Sequence, residues 1–173
     1  MAIITINGSP LHTSGDLPTI GSQAPDFTVT KMDLGEVHLK SYLGQKILLN
    51  IFPSLDTPTC ASGMRRFNEL AKQVPDVLIL CVSADLPFAQ KRFCSAEKLE
   101  NVQPVSVFRH RDFGKKYGIE IMDEPLTGLL ARSVVLIDEK GKVAYTELVK
   151  EISDEANYDA ILAKLKSPEA TNG

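Results

Sequence analysis

Residues 46–74 read KILLNIFPSLDTPTCASGMRRFNELAKQV, and the change of pattern inside this stretch decides the architecture. Positions 46–52 are almost continuously apolar, as in a strand covered on both faces. From residue 59 the period lengthens. Met64, Phe67, Leu70, Ala71 and Val74 recur at helical spacing and predict a helix over 59–74. Strand, short loop and helix put Cys60 in the first helical turn, where backbone N–H groups are unpaired and the helix dipole is positive. Such a position favours the thiolate form of a cysteine, which is the nucleophile. Cys60 also shares the stripe of Met64, Phe67, Ala71 and Val74, so a pocket is expected around it rather than an open surface.

Thr57 stands three residues before Cys60, where a second cysteine would make a C-x-x-C dithiol. A hydroxyl there both donates and accepts hydrogen bonds. It can cap the helix, or hold an oxygen-bearing substrate against the sulfur. Pro53 and Pro58 stiffen the loop, and Pro53 is placed to shield the sulfur from water. Pro-x-x-x-Thr-x-x-Cys behind a buried strand is more specific than any of its parts. A pocket of this kind suits attack on a peroxide. Negative charge spreads along the reacting atoms, donors and a cation stabilise it, and the product is a cysteine sulfenic acid that condenses with a thiol.

Working outward, residues 77–83 (VLILCVS) read as a second buried strand, and residues 87–99 as a helix with Pro87 in its first turn. A short helix over 112–117 ends at Gly118. Strands over 133–138 and 143–149, joined by EKGK, form a hairpin expected at the sheet edge. A last helix spans 157–166, and the tail 167–173 is expected to fray. Toward the N-terminus, AIITI, NGSP and LHTSG read as strand, turn and strand within residues 1–18. Short strands are expected over 27–30 and 37–40. Alternating strands and helices make the first two central strands parallel. The order matches an α/β thioredoxin-like fold, a central mixed sheet flanked by helices, with an N-terminal β-hairpin extension. One domain over 1–173 accounts for the length.

Composition removes other classes. The 173 residues carry 19 Lys and Arg against 22 Asp and Glu, a formal charge of −3 with no basic run. With no Trp, this gives no reason to expect nucleic acid or an anionic membrane as partner. No apolar stretch is long enough to span a bilayer, and the N-terminus lacks the pattern of a signal peptide. A cytoplasmic location is expected, where a disulfide is transient and catalytic rather than structural. Cys81 lies mid-strand among apolar neighbours and reads as a buried structural thiol. His12, His38 and His110 have no ligand spacing, so no metal and no cofactor are expected. Arg109, His110 and Arg111 read as a solvated basic cluster.

The motif Pro53, Thr57, Cys60 resembles the active site of the peroxiredoxin family. The stretches NIFPSLDTPTC, VSADLPFAQKRFC and LLARSVVLID are similar to its bacterial thiol peroxidase subfamily, over nearly the whole chain. The resemblance implies that Cys60 is the peroxidatic cysteine, that Thr57 binds the peroxide and that Pro53 shields the site. It makes Arg132 the arginine that stabilises thiolate and peroxide; without the family, Arg132 reads as a surface charge at a strand entry. Cys94, 34 residues after Cys60, matches the resolving cysteine. Position 65 is an arginine and KLKSPEATNG holds no cysteine, so the other subclasses' resolving positions are not filled by one. The implied cycle reduces hydrogen peroxide and alkyl hydroperoxides, closes an intramolecular Cys60–Cys94 disulfide after local unwinding, and is recycled by thioredoxin, in a homodimer. A redox sensor or redox-switched holdase using the same two cysteines is the alternative. A thioredoxin-type dithiol oxidoreductase fails on Thr57.

Overall fold

A computed structural model describes residues 1–166; the tail 167–173 lies outside the described residues. The decisive stretch forms as its pattern dictates. Strand β5 (Lys46–Ile51) leads through a loop into helix α1 (Pro58–Gln73). The return passes through β6 (Val77–Ser83), α2 (Pro87–Glu97), β7 (Gln103–Ser106) and α3 (Asp112–Lys116). Strands β8 (Ser133–Ile137) and β9 (Val143–Leu148) precede α4 (Tyr158–Lys166). Before β5 come the hairpin β1 (Ile3–Ile6) and β2 (Ser9–His12), then β3 (Thr28–Lys31), β4 (Glu36–His38) and a 3-10 turn over Leu39–Tyr42. The expected strand over 37–40 therefore stops at His38.

One seven-stranded sheet runs in the order β4-β3-β7-β6-β5-β8-β9. β5 pairs parallel with β6 and antiparallel with β8, and β6 pairs parallel with β7. This is the expected central mixed sheet. The late hairpin departs from expectation in one respect: β8 is interior, between β5 and β9, and only β9 is an edge. The sequence of β8, SVVLI, is buried at every position, which two covered faces and two strand neighbours require.

Strand β7 has no counterpart in the sequence reading; Pro104 sits inside it, and proline disfavours a central strand. The ladder with β3 reaches only Val105 and Ser106, so no bond to that neighbour is lost at Pro104. α2 ends at Glu97, two residues earlier than predicted, where Lys98 turns into the left-handed region with φ +55°.

Period-two alternation divides the core. Ile47, Leu49 and Ile51 of β5 join one apolar cluster with the hairpin residues Ile4 and Leu11 and with Phe113 and Tyr117. Leu48 and Phe52 join the other, which holds Met64, Phe67 and Leu70 of α1, Ile161 of α4 and all three cysteines. Truncating a fully buried anchor such as Phe67 to alanine would cost about 3–5 kcal/mol.

The N-terminal hairpin turns on Asn7 and Gly8 alone, both with positive φ, while Ser9 and Pro10 already belong to β2. Glu151 ties the tip down. Its Oε1 accepts from the Gly8 N–H (3.0 Å) and the Thr5 hydroxyl (3.0 Å), and its Oε2 accepts from Ser153. Those donors, the Gly8 N–H foremost, hold the Glu151 carboxyl down at about 2. Of the predicted solvated cluster, Arg109 and His110 instead share the Glu36 carboxylate at 3.3 and 3.1 Å; Arg111 is exposed.

Candidate active site

β5 must end where its side chains leave the sheet, and Pro53 and Pro58 define the turn that follows. Pro58 occupies the first position of α1, where its missing N–H costs nothing. Thr57 is the N-cap, with extended backbone at φ −107° and ψ 144°. Its Oγ1 accepts from the Cys60 N–H at 3.4 Å and donates to the Ser54 carbonyl at 3.0 Å. Thr57 thus has the capping role that its residue type allows, and it is also exposed along the cleft beside the cysteine.

Cys60 is 1% exposed; it does not line that cleft itself, but Thr57, Pro58 and Thr59 before it and Arg132 beside it do. Arg132, the residue before β8, reaches it from across the sheet. Its Nη2 donates to the Cys60 Sγ at 3.3 Å and to the Ile152 carbonyl at 2.9 Å, and Nε donates to the same carbonyl at 3.2 Å. Arg132 is 5% exposed, so it is no surface charge at a strand entry. Its polar partners among the described residues are that sulfur and that carbonyl. A buried guanidinium without a carboxylate is costly, and it is aimed at the atom on which negative charge resides when a thiolate attacks. The Ile152 carbonyl fixes the planar fork, so the geometry does not depend on a bound substrate.

The cleft has a volume of about 280 Å³. Pro53, Thr57 and Arg132 line it, together with the hairpin tip (Ile6, Asn7) and the apolar side chains of Leu126, Leu129 and Ile152. Pro53 is buried there. A larger cleft of about 680 Å³ lies around Gly44, Val74 and Leu165, and neither Thr57 nor Arg132 lines it.

The other two thiols lie deeper. Cys81 is fully buried in β6, and Asn50 Nδ2 donates to its sulfur at 3.6 Å. Burial pushes its thiol up to about 12 despite that bond. Cys94 sits in the last turn of α2, and burial pushes it up to about 11. All three thiols are free and belong to one apolar cluster. α1 and α2 lie alongside one another: Arg65 pairs with Glu97 at 2.9 Å, and Arg92 reaches Asp56 at 3.9 Å. Cys60 lies between Asp56 and Arg65 in sequence, Cys94 between Arg92 and Glu97. The two ion pairs therefore bracket both cysteines.

Sequence reasoning passed over Asp85 and Ser54. Ser54 Oγ donates to Asp85 Oδ1 at 2.8 Å, while the Leu55 N–H and the Ser83 hydroxyl donate to Oδ2 at 2.8 and 2.7 Å. The only local signal is S-x-D-x-P before a helix, which reads as an ordinary turn. The Glu151 anchor under the hairpin tip was missed too, because its partners are about 145 residues away in sequence.

A buried sulfur under a guanidinium, at the start of the first long helix and beside a cleft that the guanidinium lines, is the arrangement of a thiol-based oxidoreductase. The model of the Redoxin family matches residues 19–162, and the chain belongs to that family. A thiol peroxidase of Mycobacterium tuberculosis (strain ATCC 25618 / H37Rv) is 54% identical over 165 residues, covering 95% of this chain and 99% of the relative. A thiol peroxidase of Corynebacterium glutamicum is 53% identical with the same coverage. The crystal structure of a peroxiredoxin-like protein from Aquifex aeolicus superposes with a TM-score of 0.91 at 40% identity, covering 96% of each chain. The chain is accordingly an enzyme of the peroxiredoxin class with thiol peroxidase activity. Among the described residues no helix is long and apolar enough to cross a membrane.

Proposed function

We propose that the chain reduces hydrogen peroxide and alkyl hydroperoxides through a Cys60–Cys94 thiol cycle and is recycled by thioredoxin. The observation that carries this reading is the 3.3 Å contact between Arg132 Nη2 and the Cys60 sulfur, beside the Thr57 hydroxyl. The Cys60 thiolate attacks the terminal oxygen of RO–OH. An S–O bond forms and the O–O bond breaks; the sulfur is oxidised by two electrons to sulfenic acid. The alkoxide takes a proton from water and leaves as ROH. Arg132 stabilises the charge spread over sulfur and both oxygens. Thr57 Oγ1, exposed to the cleft, holds the substrate oxygen, and Pro53 keeps water from the sulfur. The apolar Leu126, Leu129 and Ile152 receive the organic group of an alkyl hydroperoxide.

In the second step the Cys94 thiolate attacks the sulfenic sulfur. The S–S bond forms, and hydroxide leaves and is protonated to water. Bonded cysteines need Cα atoms about 4.4–6.8 Å apart, and both thiols are buried within helical turns, Cys60 in the first of α1 and Cys94 in the last of α2. The first turn of α1 and the end of α2 therefore unwind locally. The dithiol of thioredoxin then reduces the disulfide by exchange. One redoxin domain performs the whole cycle, with the hairpin over 1–18 as a wall of the cleft. A homodimer in the cytoplasm is part of the same reading.

Turnover tests it. With thioredoxin, its reductase and peroxide, the wild type should consume many equivalents per chain. Cys60→Ser should consume none, and Cys94→Ser should stop after one equivalent with sulfenic acid on Cys60. A wild type that stops after one equivalent would instead favour a peroxide sensor or redox-switched holdase.

A further inference from the structure

We propose that Asp85 is a positioning residue that latches the Cys60 loop to the Cys94 helix, so that both segments open together. The inference rests on the two-cysteine cycle proposed above. Asp85 lies in the loop between β6 and α2, half-buried. Its carboxylate takes three donors: the Ser54 hydroxyl, the Leu55 N–H and the Ser83 hydroxyl, at 2.7–2.8 Å. Ser54 is in turn the residue whose carbonyl accepts from Thr57, and Thr57 accepts from the Cys60 N–H. An unbroken chain of hydrogen bonds thus runs from Asp85 to the backbone of the reactive cysteine.

The other end of the chain reaches α2. Gln90, one turn before Cys94, is 0% exposed, and its Nε2 donates to Ser83 Oγ at 3.3 Å and to the Val105 carbonyl at 2.9 Å. Ser106 Oγ donates to the Asp85 carbonyl at 2.5 Å, which fixes the loop against β7. The Oε1 of Gln90 has no hydrogen-bond partner though it is buried. Among the described residues, Asp85 is the carboxylate that bonds directly to the Cys60 loop and, through Ser83, to the helix of the other thiol.

The consequence concerns the two steps of the cycle. Peroxide attack needs the loop closed, with Thr57 and Arg132 beside the sulfur. Disulfide closure needs the loop and α2 open. A latch that stabilises the closed form speeds the first step and delays the second, and so sets how long the sulfenic acid is exposed to a second peroxide. That second oxidation yields sulfinic acid and ends the cycle.

Asp85→Asn keeps the size but removes the charge and places an amide N–H against donors. Hydrogen bonds to a charged acceptor are roughly twice as strong as neutral ones, so the closed-to-open ratio should fall by about tenfold. The first measurement is amide hydrogen exchange on the reduced protein, with no peroxide present. Exchange should rise in residues 54–63 and 87–97 together, while β5 and β6 keep their protection. A rise confined to residues 54–57 would overturn the coupling. The second separates the steps by rapid thiol quenching. Asp85→Asn should speed Cys60–Cys94 closure and raise the peroxide dose that yields sulfinic acid, each by a factor of several up to about ten, while Cys60 oxidation slows only slightly. A merely structural residue would slow both steps or neither, and that result would overturn the proposal. Ser54→Ala, which leaves Asp85 on Leu55 and Ser83, should show the same split to a smaller degree, which covers poor folding of Asp85→Asn. Failure of the two-cysteine cycle would show separately, as a wild type that forms no Cys60–Cys94 bond while the exchange coupling stands.

Discussion

Helices α1 and α2 each start with a proline in their first position and each carry one cysteine, yet they hold it in opposite ways. α1 is capped by the Thr57 side chain, and its cysteine lies in the first turn, in contact with a guanidinium. α2 has no side-chain cap at Leu86, and its cysteine lies in the last turn. That turn ends on Lys98, held at φ +55°, a conformation unfavourable for a residue with a Cβ. Cys60 is thus buried beside a cation, whereas Cys94 has no hydrogen bond from a cation among the described residues and burial pushes its thiol up to about 11. The difference fits the order of the proposed cycle, in which Cys60 reacts first in the folded protein and Cys94 follows once its helix end is released.

The largest expected effect falls on the cation. Arg132→Met should slow second-order oxidation of Cys60 by about 10²–10³-fold, the usual cost of removing a donor aimed at developing charge. Arg132→Lys should fall between, because an ammonium keeps the charge but not the fork that also holds the Ile152 carbonyl. Stopped-flow oxidation with hydrogen peroxide reads both, and a methionine variant within a factor of about two of wild type would remove Arg132 from the mechanism.

A smaller change is expected at the cap. Thr57→Val loses the acceptor for the Cys60 N–H and the donor to Ser54. It should cost about 1 kcal/mol of stability and slow oxidation by about tenfold or more, while Thr57→Ser retains most of both. A valine variant that loses stability at an unchanged oxidation rate would leave Thr57 as a cap alone.

The smallest effect sharpens the contrast with the third thiol. Burial raises Cys81 from 9.0 to about 12. Its contribution to stability is fully present below pH 9, declines as the unfolded chain ionises first, and is lost as pH rises through the folded value. Urea unfolding should show about 1 kcal/mol of stability lost between pH about 8 and about 10 that Cys81→Ala does not lose, since the shift costs about 1.4 kcal/mol per unit. Equal losses in both proteins would mean that Cys81 is not held protonated by the fold.

Much of this was legible in the sequence because the decisive pattern is local. The apolar run of β5 and the helical stripe of α1 place Cys60 without any knowledge of the remaining chain. The motif with Thr57 and Pro53 lies within eight residues. Arg132 is different. It meets Cys60 across 72 residues of sequence, and only the family resemblance selected it. β7 was hidden by Pro104, whose cost disappears because the ladder with β3 starts one residue later. The position of β8 inside the sheet depends on pairing with β5, which no local pattern encodes. Asp85 and Glu151 are long-range anchors on loops, where a single carboxylate carries no periodic signal.

The central claim is that Cys60 and Cys94 form the redox pair and Cys81 stands apart. The most direct measurement is disulfide mapping after one equivalent of peroxide is added to the reduced protein, with free thiols blocked and the digest analysed without reduction. The account predicts one intramolecular Cys60–Cys94 linkage, with Cys81 recovered as a blocked thiol. A linkage through Cys81, or a bond between two chains in place of the Cys60–Cys94 pair, would contradict it.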